Sequence, residues 1–448
     1  MPETLTLADT LAELITAARA AGADAADAIV VDGTSVSITH RLGKLEQLER
    51  SEGGDIGLRV LIGKRQAIVS SADRSRDALK ELVDRAVAMA RTVPEDPYCG
   101  LASADQIAKT LPTLDICDAA EISAETLIAK ATACEDAARA VKGVTNSDGA
   151  SASWGRSQVA IAASNGFMRS YESSGSSLSV SVLAGDAEHG METDYDYTSA
   201  VYFADLKTPE EIGRSAGTRA VRKLNARKMP SCKVPIIFDP RVARGLVSHF
   251  LGAINGASVA RGTTFLKDAM ETEVFAPGIH IIEDPHRQRG LRSKPCDAEG
   301  LPNFQRSLID NGRLTTWILD LRSARQLKLS PTGHAARSTG SPPSPSSTNV
   351  YLAAGFDTPD ALMADITEGF YVTDLVGQGV NTVTGDYSRG AVGFWIEKGK
   401  ISFPVSEVTI AGHLAQMFKA LRPADDLDLL YGIDAPTVRI DGMTVAGT

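Results

Sequence analysis

The sequence predicts an α+β fold: two related helix-plus-antiparallel-sheet N-terminal domains followed by a larger strand-rich C-terminal domain. Three observations predict it. The 448 residues exceed what one core usually organises and suggest about three domains, at roughly 150 residues each. An order of helix, alternating strands and helix is met twice before residue 230. From Val274 onward the chain is mostly short strands and turn signals. The expected boundaries give domains at 1–110, 111–230 and 231–448.

The first helix is expected over Leu7–Ala21, where Leu7, Leu11, Leu14, Ile15 and Ala18 recur at helical spacing and Gly22 stops it. Ser35–Thr39 and Leu58–Ile62 read as strands. Leu79, Leu82, Ala86, Val87 and Ala90 mark the helix that follows. The order then recurs, with a helix over Ile122–Val141 and strands at Gln158–Ala162 and Leu178–Val182. Gly53, Val60, Leu61 and Gly63 match Gly175, Val182, Leu183 and Gly185 at one offset (175 − 53 = 185 − 63 = 122). Arg85-Ala86-Val87 matches Arg219-Ala220-Val221 at a larger offset, absorbed by extra residues around Glu192 to Phe203. A period this long signals a duplicated unit rather than a solenoid.

Thr208, Pro209 and Glu211 form a capping box with proline in the first turn, so a helix starts there. A basic joint around Met229 separates it from the strand Val234–Phe238. Asp239-Pro240 opens another helix with Val242, Leu246, Val247, Phe250, Leu251 and Ile254 as its buried stripe. Asn311-Gly312 predicts a hairpin between Ser307–Ile309 and Leu314–Ile318. Glu397–Lys400 marks a second turn, and Thr358-Pro359 caps a short helix to about Thr367. Ser338–Thr348 is low in complexity and reads as a surface loop, with a lid or partner contact as the functional alternative.

Composition excludes several classes. The net charge of −10 is wrong for phosphate-driven nucleic-acid binding. The apolar fraction of 43% and charged fraction of 23% are those of a globular chain. No apolar run reaches the ~18 residues of a membrane span, and the N-terminus has no signal-peptide pattern. Five cysteines, without a CxxC pair, suit reduced thiols and a cytoplasmic location.

The search for chemistry ends without a self-sufficient site. The seven histidines (His40, His189, His249, His280, His286, His334 and His413) contain no pair at helical spacing with an adjacent glutamate. His280 and His286 are close in sequence, but Pro285 breaks regular structure between them. No GxSxG elbow is present, and the glycines from Gly377 to Gly385 lack the lysine that would reach a phosphate. Catalytic and metal-ligating residues are therefore expected to be none.

Several strings of the last domain resemble the TldD/PmbA family. They are Glu283-Asp284-Pro285 through Gly290-Leu291, Asn311-Gly312-Arg313-Leu314, Thr332-Gly333-His334-Ala335 with Gly340–Pro345, and Gly385–Ala391 followed by Gly393–Glu397. Pro404-Val405 through Thr409–Gly412 and the closing Ile440–Gly447 complete the set. The strings lean toward the PmbA (TldE) branch and cover most of residues 230–448. In the family, the TldD-type subunit carries HExxxH on the helix that opens this domain and a cysteine ligand near its C-terminus. Here that helix holds only His249, followed by Phe250 with Ile254 five positions on, and no cysteine follows Cys296.

The resemblance thus implies a two-subunit peptidase. A TldD-like partner would hold the zinc, and this chain would bind no cofactor of its own. Short or unfolded peptides would be the substrates, and the chain alone would form a homodimer. The resemblance also carries a link to DNA gyrase modulation. His334, Asp386, Tyr387, Ser388 and Arg389 are the residues expected to contact peptide in the chamber. For Asp386 and Arg389, a charge pair holding strand ends together is the structural alternative. An autonomous hydrolase or a peptide-binding module are the rival functional classes.

Overall fold

The computed structural model describes residues 6–447 except 187 and 189, so His189 lies outside the described residues. The N-terminal half runs α1 (Leu7–Ala20), β1 (Ala25–Arg41), β2 (Lys44–Ile62), β3 (Arg65–Ser71) and α2 (Arg76–Thr92). It continues with α3 (Ala124–Arg139), β4 (Val144–Ala163), β5 (Met168–Asp186), β6 (Gly190–Ala200) and α4 (Pro209–Arg222). Local chemistry sets these boundaries. Thr6 and Asp9 cap α1 reciprocally, as Thr208 and Glu211 cap α4.

The two units do not form separate sheets. β1 pairs antiparallel with β4, and all six strands join in the order β3-β2-β1-β4-β5-β6. Register shows the duplication directly. Gly33 faces Gly53 in the first unit and Gly155 faces Gly175 in the second, with 155 − 33 = 175 − 53 = 122. Thr34 pairs with Arg156, its own equivalent at that offset, so a pseudo-two-fold axis passes between them. Gly63 and Gly185, both at positive φ, each end the middle strand of their unit. Joining β1 to β4 removes an exposed edge from each unit.

Both helix pairs cover one face of this sheet, at opposite ends of its long strands. α1 and α2 pack on Ala26, Ala28, Val30, Ile56, Leu58 and Val60. α3 and α4 pack on Val36, Ile38, Ala152, Leu178, Val180 and Val182. Side chains alternate across a strand, so Ile29, Ile161 and Phe167 face the other way, where they meet Cys296 and Ala298 of the C-terminal domain.

That domain begins with β7 (Cys232–Phe238), α5 (Pro240–Ala253), α6 (Gly256–Ala260), β8 (Ile281–Glu283), β9 (Arg306–Asp310), β10 (Arg313–Leu314) and α7 (Leu321–Leu327). It continues with β11 (Ala335–Ala336), β12 (Ser344–Pro345), β13 (Val350–Leu352), α8 (Pro359–Met363), β14 (Glu368–Val376), β15 (Asp386–Glu397) and β16 (Lys400–His413). It ends with α9 (Leu414–Ala420), β17 (Leu421–Pro423), β18 (Ile433–Asp434) and β19 (Val438–Ala446). β16, β15, β14, β7 and β19 close into a ring, because β16 also pairs with β19, and β17 adds to β19. A second sheet has the order β10-β9-β8-β13-β18. α5 lies between ring and sheet, with Leu246, Val247, Phe250, Leu251 and Ile254 buried in their shared core.

Three local expectations are corrected. The Asn311-Gly312 hairpin forms, but pairing stops at Leu314, because Thr315 turns to bond the Ser307 and Leu308 carbonyls through its hydroxyl. α8 ends at Met363, not near Thr367. Ser338–Thr348 is not a free surface loop. Ser344–Pro345 pairs with Ala335–Ala336, Ser347 and Thr348 are buried, and the Thr339 carbonyl lies so close to Gly57 that a Cβ there would sit 2.0 Å away. The loop clamps the C-terminal domain onto the N-terminal sheet.

A buried ion cluster reinforces the clamp. Arg59 Nε donates to Asp27 Oδ2 at 2.9 Å, and Arg337, reaching over from the loop, donates to Asp27 Oδ1. Burial would raise the Asp27 carboxyl, but Arg59 and Arg337 outweigh it and hold the group below the usual carboxylate range. Asp27→Ala would leave two buried guanidinium groups unpaired, at a cost of roughly 3–5 kcal/mol. We expect a markedly lower melting temperature for this variant; a wild-type thermal melt would show that the cluster does not hold the domains together.

Candidate functional site

The polar side of α5 organises the site. Asp239 caps the helix by accepting from the Arg241 amide at 3.0 Å and also takes the Tyr371 hydroxyl at 3.1 Å. Arg241, Arg244 and Ser248 are spaced by three and four residues, so they share one face. Arg241 reaches the N-terminal sheet, donating to Asp194 of β6 at 3.0 Å, while Lys223 contacts the same carboxylate at 2.8 Å. Asp194 is 3% exposed. Its burial would raise the carboxyl; Arg241 and Lys223 reverse this and hold it low.

Beside this junction lies a cavity of about 450 Å³, lined by Arg241, Arg244, Arg292, Arg389, Tyr195 and Tyr431 among others. Arg241 stacks over Tyr195 at 4.4 Å and Arg244 over Tyr431 at 4.8 Å. The cavity's one carboxylate, Asp374 of β14, is met by Lys223 at 3.4 Å.

Of the expected chamber residues, Arg389 lines this cavity and Tyr387 adjoins it. Both are on the α5 side of β15, two positions apart. Tyr387 is 2% exposed, its ring is edge-on to His249 with centroids 6.0 Å apart, and its hydroxyl has no partner among the described residues. Burial raises the phenol. Burial, and then Arg389, lowers His249 below its ordinary value, so the imidazole is neutral at pH 7. Asp386 and Ser388 are exposed on the opposite side. Gly385 makes the turn before them at φ +90°, where a Cβ would meet the His413 ring at 2.8 Å.

Two expectations fail here. Asp386 and Arg389 do not pair: Asp386 takes the Thr384 hydroxyl at 2.6 Å, and Arg389 Nε donates to the Val376 carbonyl at 3.3 Å. Residues three apart on a strand point to opposite sides. His334 does not join the other four. It is 3% exposed, with Nε2 on Glu283 Oε2 at 2.5 Å and Nδ1 on Thr332 Oγ1 at 2.7 Å, so both ring nitrogens are engaged inside the domain. Thr348 donates to the other Glu283 oxygen from its amide and hydroxyl, which closes the network.

His280 pairs with Asp310 at 3.0 Å and His286 with Asn303 at 2.8 Å, so the two have separate partners. Among the described residues no three His, Cys, Asp or Glu side chains are grouped to hold a metal ion. Sequence reasoning missed Arg241, Arg244 and Arg292. The spacing of Arg241, Arg244 and Ser248 opposite an apolar stripe was a usable signal; Arg292 sits in an irregular segment and gave none.

These features define a class: a three-part α+β protein, with a duplicated helix-and-sheet half docked on a strand-rich domain whose first helix faces a polar cavity. Family models for the PmbA/TldA metallopeptidase domain 1, central domain and C-terminal domain match residues 26–90, 117–224 and 231–447. The chain belongs to this PmbA/TldD metallopeptidase family. It is 37% identical to the metalloprotease PmbA of Escherichia coli O157:H7, over 95% of this chain and 92% of that one. It is 26% identical to the metalloprotease TldD homolog of Haemophilus influenzae, over 60% of this chain and 61% of that one. The crystal structure of a putative modulator of DNA gyrase from Bacteroides thetaiotaomicron superposes with TM-score 0.91 at 25% identity, covering 98% of both chains.

The geometry makes two checks available. Asp194→Ala leaves Lys223 and Arg241 without their buried partner and should destabilise by about 3–5 kcal/mol. The folded Asp194 carboxyl is held low, so its stabilisation is full above the unfolded carboxylate pKa of about 3.9 and is lost as pH falls through the folded value. The gap between wild type and Asp194→Ala in urea melts should therefore narrow on acidification; a gap independent of pH would refute the ion cluster. Tyr387→Phe removes a buried hydroxyl that has no partner, so the melting temperature should stay level or rise, by up to the ~1–3 kcal/mol of an unmet polar group. A clear drop would mean that the hydroxyl is bonded in the folded protein.

Proposed function

We propose that this chain is the PmbA (TldE)-type subunit of a two-subunit peptidase that degrades short or unfolded peptides, with the metal held by a TldD-like partner. The observation that carries the reading is α5. At the place where the resemblance puts HExxxH, this helix reads His249-Phe250-Leu251-Gly252-Ala253-Ile254, and Phe250 and Ile254 are fully buried in the core. A glutamate or histidine at either position would need a partner that this core lacks. The extent of similarity to PmbA, against the shorter and weaker match to TldD, supports the same branch.

In this reading Arg389 and the exposed Asp386 and Ser388 face peptide or partner, the buried Tyr387 packs behind Arg389 and does not itself reach a peptide, and zinc belongs to the partner. The chain alone forms a two-fold dimer, the commonest arrangement of identical subunits, and the heteromer replaces it when the partner is present. The location is cytoplasmic; no helix among the described residues is long and apolar enough to cross a membrane.

Purification of the chain alone and with a TldD-like subunit, followed by cleavage assays on an unfolded peptide with and without chelator, tests this. Chelator-sensitive cleavage is expected only in the mixture, and metal analysis of the chain alone should give well below one zinc per chain. Chelator-resistant cleavage by the chain alone would make it an autonomous hydrolase. A mixture no more active than the partner by itself would reduce the chain to a binding module. Arg389→Ala should melt almost like wild type, since its one hydrogen bond to a carbonyl contributes about 0.5–1.5 kcal/mol, yet lower cleavage by the mixture.

A further inference from the structure

The arginines around the cavity beside α5 are not balanced by acids. Arg241 is neutralised by Asp194, and Asp374 by Lys223. Arg244, Arg292 and Arg389 line the same space, whose one lining carboxylate is Asp374; of the three, Arg292 alone feels a carboxylate from outside the lining, Glu283. Arg244 Nε donates to the Arg241 carbonyl at 3.1 Å, Arg292 to the Ser347 carbonyl at 3.0 Å and Arg389 to the Val376 carbonyl at 3.3 Å. These bonds aim the side chains while leaving most guanidinium N–H groups unused, since each guanidinium has five. Burial pulls Arg292 below its ordinary range, and the nearby Glu283 carboxylate offsets only part of that. The cations converge on a concave site and are not a solvated surface stripe.

The remaining walls narrow the ligand. Val242, Leu375 and Ile433 give the cavity apolar surface, and Ser248 and Tyr431 add hydroxyls. A volume of about 450 Å³ is within the ~300–1,000 Å³ typical of small-ligand pockets and well beyond a bare carboxylate or phosphate. An anionic group attached to an apolar side chain uses both kinds of wall.

We infer that this cavity takes the C-terminal end of a peptide: Arg244, Arg292 and Arg389 hold the α-carboxylate, and the last side chain lies against Val242, Leu375 and Ile433. The planar guanidinium fork matches a carboxylate with two parallel hydrogen bonds, which a lysine cannot reproduce. The inference takes from the reading above only the class of ligand, a peptide. It adds that this chain, by itself, reads a free peptide terminus.

The test is direct binding by the purified full chain without any partner. A fluorescein-labelled, unstructured octapeptide ending in leucine is prepared as free acid and as C-terminal amide, and both are titrated by fluorescence anisotropy. The acid should bind at least about tenfold more tightly than the amide, the scale of charge-assisted bonds lost with the carboxylate. Arg389→Lys should weaken the preference, and the double variant R244Q/R389Q should abolish it. Both arginines are half-exposed and free of acidic partners, so the double variant should fold; its thermal melt checks this, and R389Q alone replaces it if it does not. Equal binding of acid and amide, or a preference that survives R244Q/R389Q, would overturn the inference. So would inorganic phosphate binding more tightly than the acid in calorimetry, which would assign the cavity to free anions. Binding is read without cleavage, so the two ideas fail separately. A missing acid preference beside intact cleavage in the mixture sinks this inference alone. A clear preference with no cleavage in any combination sinks the subunit reading alone.

Discussion

The carboxylate of Asp194 is the constraint on which the candidate site depends. It sits on β6 of the duplicated half, yet its two partners are Lys223, just past α4, and Arg241 on the first turn of α5. A buried carboxylate is tolerated only with cations close enough to offset lost hydration. Meeting that requirement draws the start of α5 against the N-terminal sheet and orients its polar face. Arg244, Tyr431 and Tyr197 then stack at the same seam. The cavity is thus a product of the junction between the domains.

Asp27 plays the same part on the sheet's other flank, where Arg59 and Arg337 converge. Between the two anchors the duplicated sheet is nearly symmetric about the Thr34–Arg156 pair, but the docked domain is not. The symmetry is therefore broken by use. Phe167, on the turn after β4, packs under Gly300 of the C-terminal domain, whereas its equivalent at the 122-residue offset, Leu45, is exposed. Equivalent positions thus meet different surroundings, which explains why sequence matches between the copies persist at turn and core positions and fade elsewhere.

α5 carries two kinds of chemistry on its two faces. Its inward stripe is aliphatic and aromatic, packed between ring and sheet. His249 stands beside Tyr387 and Arg389, and its depressed basicity follows from burial and the nearby cation. The resulting environment is neutral at the histidine and positive at the arginines. That is an environment for holding an anion.

What the sequence determined by itself was local and periodic. Thr208-Pro209 with Glu211, and Asp239-Pro240, fixed helix starts because caps act within one turn. The offset of 122 residues between matching glycines revealed the duplication, since strand ends demand the same backbone in both copies. Family strings marked the segment Gly385–Arg389. Tertiary structure decided the rest. It joined the two units into one sheet, because edge strands gain by pairing with whatever edge is near. It turned Ser338–Thr348 from a loop of polar composition into a clamp, because Thr339 lies against Gly57 of β2 while Thr348 is tied to Glu283 within its own domain. It buried His334 against Glu283 and split Asp386 from Arg389. It also gathered Arg241, Arg244, Arg292 and Arg389, residues as much as 148 positions apart (389 − 241), around one space. Charge partners at such separations are set by packing, and no local pattern in the chain encodes them.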